Sequence, residues 1–129
     1  MSKVLVVDDE VSVQNLILEM MTYEGYDVLK VGNVVDAIEV CKQENVILVI
    51  TEIIMPDRNG LDLILEIKKE YPHIWIIAMS GCGNETRQYD CLEVAKLVGV
   101  NNIIKKPFDM PELLQLVVQS LKAQGCTHI

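Results

Sequence analysis

The residues of this chain best suited to chemistry are three carboxylates and one lysine, each placed close behind an apolar run. Asp8 and Asp9 follow the first such run, Glu52 follows the third, and Lys106 comes directly after the fifth. Carboxylates gathered in one place repel one another unless a cation or a lysine neutralises them. Oxygen ligands with water in the remaining positions suit Mg²⁺ better than Zn²⁺. If folding brings these side chains together, the sequence predicts an acidic, cation-binding site.

Apolar runs alternate with segments of helical periodicity along the chain. The runs lack the polar alternation of a half-exposed strand, which is typical of strands covered on both faces. Between the runs, apolar residues recur at helical spacing, so each helix has a face for the sheet. The predicted strands are Lys3–Val7, Asp27–Val31, Val46–Thr51, Ile74–Met79 and Asn101–Lys105, and a helix follows each strand, the last two helices over Glu85–Val98 and Met110–Lys122.

Five strand-helix units predict an α/β fold with a doubly wound parallel sheet of order 2-1-3-4-5 and helices on both faces. The first and third strands are neighbours at the switch point of such a sheet, where ligands bind. Asp8, Asp9 and Glu52 would therefore meet in one crevice. Residues at the expected boundaries agree: Asn33 and Asn84 suit helix N-caps, Gly25 and Gly99 suit helix ends, and Pro111 suits a first helical turn.

Composition narrows the kind of protein that could carry this site. At 129 residues and 50% hydrophobic, the chain suits one domain over 1–129 and leaves no room for a separate output domain. A formal charge of −8 argues against nucleic-acid binding and favours a protein partner. Short apolar stretches and the lack of a basic leader indicate a cytoplasmic location. The spacing of the four cysteines argues against zinc and structural disulfides.

Four motifs connect the chain to a known family. They are V-L-V-V-D-D-E at 4–10, T-E-I-I-M-P-D-R-N-G at 51–60, A-M-S-G at 78–81 and K-K-P-F at 105–108. All four, in order and on the expected elements, resemble the CheY-like receiver domain of two-component response regulators. The resemblance covers about Lys3 to Leu121 and implies a flavodoxin-like fold. It also implies a signalling switch or protein-interaction module in a phosphorelay, and not an enzyme.

The resemblance implies a metal-binding role for the acidic residues. Asp9 would bind Mg²⁺ directly and Asp8 through water, and the Ile54 carbonyl would complete the protein's share beside Glu52, which stands at the phosphoacceptor position. Such an ion would be weakly bound and would offset the charge of an incoming phosphoryl group.

The resemblance also assigns the residues that would act on a phosphoryl group. Lys106 would hold a phosphoryl oxygen as a mobile point charge, and its bond to Pro107 resembles the family's cis peptide. Ser80 would be the switch hydroxyl that reports the phosphoryl group to the fourth helix. Ile103 occupies the second switch position, where the family usually has Tyr or Phe, and its branched Cβ restricts rotation.

Glu52 is the main departure, because the family's phosphate acceptor is an aspartate. The extra methylene moves the carboxylate by more than about 1 Å, and misplacement of that size can cost about a hundredfold in rate. We therefore expect poor phosphoryl acceptance. Two interpretations remain open. Either Glu52 mimics the phosphorylated state in a phosphorylation-independent pseudo-receiver, or the site lost its acceptor and kept its neighbours as packing and charge balance.

The implied partners are proteins. They are a sensor histidine kinase or phosphotransfer protein, and a downstream target or second copy bound through the fourth helix, fifth strand and fifth helix. Apolar residues of the fifth helix could serve that face, but we expect Leu114, Val117 and Leu121 to be buried because they recur at helical spacing. A flavodoxin-like cofactor carrier is an alternative with the same topology. The acids of the first loop would repel its phosphate, which weakens that alternative.

Overall fold

A five-stranded parallel sheet forms the centre of the computed structural model, which describes residues 2–55, 59–80, 93, 95–96 and 98–125. The strand order is β2-β1-β3-β4-β5, which confirms the predicted doubly wound topology. Each predicted strand is present, with boundaries that differ from the prediction by at most one residue. The strands are β1 (Lys3–Val7), β2 (Val28–Val31), β3 (Val46–Glu52), β4 (Trp75–Ser80) and β5 (Asn102–Lys105).

Four helices have defined bounds in the described part of the chain. They are α1 (Val11–Tyr23), α2 (Val34–Gln43), α3 (Gly60–Glu70) and α4 (Met110–Ala123). The labels follow chain order, so α4 is the fifth helix of the sequence prediction. The predicted helix over 85–98 lies largely outside the described residues, and so does its expected cap Asn84.

Local signals start and stop these helices as expected. The Asn33 side chain accepts a hydrogen bond from the Asp36 amide at 2.8 Å, which confirms it as the N-cap of α2. Pro111 lies in the first turn of α4, where a missing N–H has no consequence. Gly25 follows α1 with a φ of 94°, a left-handed conformation that glycine adopts without a Cβ clash.

The core consists of two apolar layers, one on each face of the sheet. One layer packs α2 and α3 against the sheet, and its members include Ala37, Cys41, Leu63, Ile64 and Ile67. The other layer packs α1 and α4 against the opposite face, and its members include Ile17, Met21, Leu113, Val117 and Leu121. Burial on both faces explains why the strands are continuous apolar runs.

The apolar residues of α4 serve mainly the core. Val117 and Leu121 are buried as expected, and Leu113 is buried with them. Leu114 is only half-buried, so the expectation of full burial was wrong at this position. Leu114 is next to Leu113 in the helix, and its side chain therefore points about 100° away from the buried stripe.

Among the described residues, no helix is both long enough and apolar enough to span a bilayer.

Cys41 gives a first testable expectation, because its thiol lies in the core. Burial raises the pKa of this thiol to about 11. Since the thiolate is the reactive form, we expect the folded protein to protect Cys41 from iodoacetamide at about pH 8, and urea to remove that protection. Peptide mass spectrometry of Cys41 would measure the difference. Equal labelling with and without urea would contradict the buried position.

Candidate functional site

The functional residues of the prediction meet at the C-terminal edge of the sheet. Asp8 directly follows β1, Glu52 ends β3, and Lys106 directly follows β5. Val7 is the register partner of Thr51, so the ends of β1 and β3 lie side by side. The parallel topology therefore delivers the three groups to one place, as the sequence predicted.

Lys106 joins the two buried carboxylates. Its Nζ lies 2.7 Å from Oδ2 of Asp8 and 2.7 Å from Oε1 of Glu52. The side chain of Asp8 is fully buried, that of Glu52 is 6% exposed, and that of Lys106 is 15% exposed. Two charges buried this deeply need a close counter-charge, and the ammonium supplies it.

The second oxygen of each carboxylate is held by backbone amides. Oδ1 of Asp8 accepts a hydrogen bond from the Glu10 amide at 2.9 Å. Oε2 of Glu52 accepts from the Ile53 amide at 3.2 Å and from the Ile54 amide at 3.4 Å. The Glu52 carboxylate therefore lies over the end of β3, with Oε1 held by Lys106 and Oε2 held by the two backbone amides.

The ammonium of Lys106 is fully charged in this setting. Burial alone lowers the pKa of Lys106, but the hydrogen bonds that its ammonium donates to Asp8 and Glu52, together with the charges of those two groups, outweigh this effect. The net effect raises the pKa of Lys106 above its ordinary value. Lys106 thus acts as a permanent cation inside the acidic cluster.

A cavity of about 560 Å³ opens beside this ion triad. Asp9 and Glu10 border it at the exposed side, and Glu52 and Lys106 reach it from within. The rest of the lining is largely apolar and comes from α1, the segment after β3 and the segment after β5: Val13, Leu16, Ile54, Pro107, Phe108 and Met110. The site is therefore accessible to a ligand or a partner side chain.

The two expected switch residues lie on the strands next to the site. Ser80 is buried at the end of β4, and its carbonyl accepts a hydrogen bond from the Lys106 amide at 2.8 Å. Ile103 lies on β5 opposite Ala78 and packs against one of the two core layers. The Lys106–Pro107 bond is cis, as expected. The switch roles of Ser80 and Ile103 stay predictions.

Sequence reasoning gave no role to two residues that support the site. Gln14 of α1 is buried, and its Nε2 donates to the Asp8 carbonyl at 2.5 Å and to the Val31 carbonyl at 3.2 Å. Oε1 of Glu10 lies 3.9 Å from the Lys106 ammonium. Gln14 is a polar residue on the side of α1 that faces the sheet. Because a buried polar group needs a hydrogen-bond partner, its position was the signal in the sequence that could have indicated a supporting role.

The two buried carboxylates do not fit direct ligation of Mg²⁺ in this arrangement. Every carboxylate oxygen of Asp8 and Glu52 has a nitrogen donor within 3.2 Å. Mg²⁺ requires near-octahedral oxygens at about 2.0–2.1 Å, where the Lys106 ammonium would repel it. In the residues that the structure describes, no three His, Cys, Asp or Glu side chains form a metal-binding group. A magnesium site made of Asp8, Asp9, Glu52 and Ile54 stays a prediction.

Comparison with known proteins agrees with this fold. The family model for the response regulator receiver domain matches residues 4–118. The chain is 32% identical over 120 residues to the DNA-binding transcriptional regulator NtrC of Azospirillum brasilense, which covers 93% of this chain and 24% of NtrC. It thus spans about a quarter of the length of that relative.

Two further relatives match nearly end to end. Sporulation initiation phosphotransferase F of Bacillus subtilis is 27% identical over 119 residues, which is 92% of this chain and 93% of that protein. The crystal structure of the receiver domain of NtrX from Brucella abortus superposes with a TM-score of 0.84 at 28% identity. That match covers 92% of this chain and 98% of the NtrX chain.

Proposed function

Because this chain belongs to the response regulator receiver domain family, we propose that it is a receiver-type interaction module that signals without phosphate. Receiver domains are signalling modules that interact with histidine kinases or phosphotransfer proteins, and they occur in regulators such as NtrC. In this chain, Glu52 would act as a resident negative group in place of a phosphoryl group. The observation that carries the proposal is the 2.7 Å contact between Oε1 of Glu52 and the Lys106 ammonium.

The arrangement of Glu52 disfavours phosphoryl acceptance. A carboxylate attacks through an oxygen that must approach the donor phosphorus from a free direction. Both oxygens of Glu52 are engaged, one with Lys106 and the other with the Ile53 amide. Attack would therefore require this carboxylate to leave its ion pair in a site where the Glu52 side chain is only 6% exposed, which raises the barrier.

The same arrangement favours mimicry over an inert site. In a receiver domain, the lysine at this position would hold the phosphoryl group. In this chain, the Glu52 carboxylate already forms an ion pair with that lysine, Lys106. A switch responds to whatever stabilises one of its two states over the other, so the contact between Glu52 and Lys106 would bias the domain toward one state without phosphate. The partner would then be a downstream protein or a second copy of the chain, and a cytoplasmic location stays a prediction.

Phosphoryl labelling tests the proposal. We expect no covalent adduct when the unsubstituted chain is incubated with Mg²⁺ and a small phosphoryl donor. Glu52→Asp withdraws the carboxylate by about one methylene, and we expect its labelling rate to be at least about a hundredfold higher. Intact mass measurement would show the adduct directly.

A matched control variant shows whether the phosphoryl group is attached to residue 52. Glu52→Gln keeps the length of the side chain and removes the attacking carboxylate, so we expect no adduct on it. Labelling of the unsubstituted chain at a rate close to that of Glu52→Asp, and lost in Glu52→Gln, would show that Glu52 is a working acceptor. That result would overturn the phosphate-independent function.

A further inference from the structure

We infer that Lys106 replaces the divalent cation of this site, so that the folded chain needs no Mg²⁺ and binds it poorly. The inference deepens the proposed function and rests on its premise that Glu52 holds Lys106. It concerns the neutralisation of the acidic cluster and involves no phosphoryl group. Its consequence is a signalling module whose conformation does not respond to the concentration of Mg²⁺.

The charges of the cluster support this inference. Asp8 and Glu52 are the two buried acids among the residues that the structure describes, and the Lys106 ammonium lies 2.7 Å from each of them. One cation therefore bridges both acids, which is the task that a divalent ion would otherwise perform. The other two acids, Asp9 and Glu10, are exposed, so solvent and salt screen their charges, and Oε1 of Glu10 also lies 3.9 Å from the Lys106 ammonium.

A second cation would have to compete with this ammonium at the same oxygens. Oδ2 of Asp8 and Oε1 of Glu52 face Lys106, and the opposite oxygens face backbone amides. Mg²⁺ is strictly octahedral and loses its water reluctantly, so it cannot share these oxygens with N–H donors at low cost. The backbone amide of Lys106 donates to the Ser80 carbonyl at 2.8 Å, which fixes the point from which the lysine side chain reaches the two carboxylates.

The length of Glu52 is what permits the bridge. An aspartate at this position would be one methylene shorter, so its carboxylate would lie farther from the present position of the ammonium, which is 2.7 Å from Oε1 of Glu52. Its carboxylate would then be available, together with Asp8 and Asp9, to a metal ion. The same residue difference that hinders phosphoryl acceptance therefore also removes the need for a metal.

Metal-dependent stability tests the inference with Mg²⁺ alone. At about 10 mM Mg²⁺, against an ionic-strength-matched sodium control, we expect the unfolding midpoint of the unsubstituted chain to shift by less than about 1 °C. For Glu52→Asp, a Kd near 1 mM predicts a rise of about 5 °C. Lys106→Gln removes the internal cation and should also respond, whereas Lys105→Gln, an exposed neighbour, should behave like the unsubstituted chain.

Binding of Mn²⁺ followed by electron paramagnetic resonance provides a second readout without unfolding. A response in either Glu52→Asp or Lys106→Gln, with none in the unsubstituted chain, supports the inference. Stabilisation of the unsubstituted chain by Mg²⁺ overturns it, and so does the absence of a response in all three proteins. No phosphoryl donor or partner is present, so the result is separate from that of the labelling experiment.

Discussion

Lys106→Met should destabilise the fold by about 3 to 5 kcal/mol, because it removes one partner of a buried ion triad. Methionine fills a similar volume, so the expected effect comes from charge and not from a cavity. Asp8 and Glu52 would remain with their negative charges 2.7 Å from the position that the ammonium had occupied. Since domains of this kind are stable by about 5–15 kcal/mol, the variant should still fold.

Urea denaturation of both proteins would measure this loss. Lys105→Met is a matched control, because Lys105 is the preceding residue and is exposed, and we expect it to change stability by less than about 0.5 kcal/mol. Adding Glu52→Gln to Lys106→Met should restore part of the stability, since it removes one of the two uncompensated charges. A similar, small effect of the two lysine substitutions would show that the triad does not stabilise the fold.

The pH dependence of the Lys106 contribution follows from the direction of its pKa shift. Its pKa is raised in the folded state above the ordinary value of 10.5, so the folded protein binds this proton more tightly than the unfolded chain does. The contribution is therefore fully present below 10.5 and is lost as pH rises through the folded-state pKa. The stability difference from Lys106→Met should stay constant through neutral pH and narrow only in strong alkali.

Gly60→Ala should destabilise the fold by about 3 kcal/mol or more, although helix propensity alone predicts the opposite sign. Gly60 is the first residue of α3, where alanine is intrinsically favoured by about 1 kcal/mol. A Cβ at this position would lie 2.3 Å from the Glu52 carbonyl oxygen and 2.8 Å from the Ile53 Cα. These are backbone atoms of the strand end that holds the site, so the clash cannot be relieved by a side-chain rotation.

Gly60 has no room for a Cβ because α3 approaches the end of β3 closely. The Gly60 amide donates to the Ile53 carbonyl at 2.6 Å, which draws the two backbones together. Gly125→Ala is the control for the same chemical change in open space. Its φ of 80° should cost only about 1–2 kcal/mol. Equal denaturation midpoints for Gly60→Ala and the unsubstituted chain would mean that this contact is looser than described.

Most of the architecture could be predicted from the sequence, because local patterns determine it. The apolar runs of this chain are short, continuous and separated by helical periodicity, which leaves few arrangements for five strand-helix units. β1 was predicted at its observed bounds, and the other strands differ by at most one residue at an end. Asn33, Gly25 and Pro111 marked helix boundaries correctly, since capping and turn chemistry depend on neighbours in the chain.

The proximity of Asp8, Glu52 and Lys106 could likewise be predicted from the sequence, because parallel strands bring their C-terminal ends to one edge of the sheet. How these groups pair was decided only in the tertiary structure. Lys106 is 98 positions from Asp8 in the chain, and its pairing with both carboxylates depends on distances of 2.7 Å. Spacing along a chain does not encode distances of that size. They arise from sheet register, from the backbone direction after β5 and from the length of one side chain, Glu52.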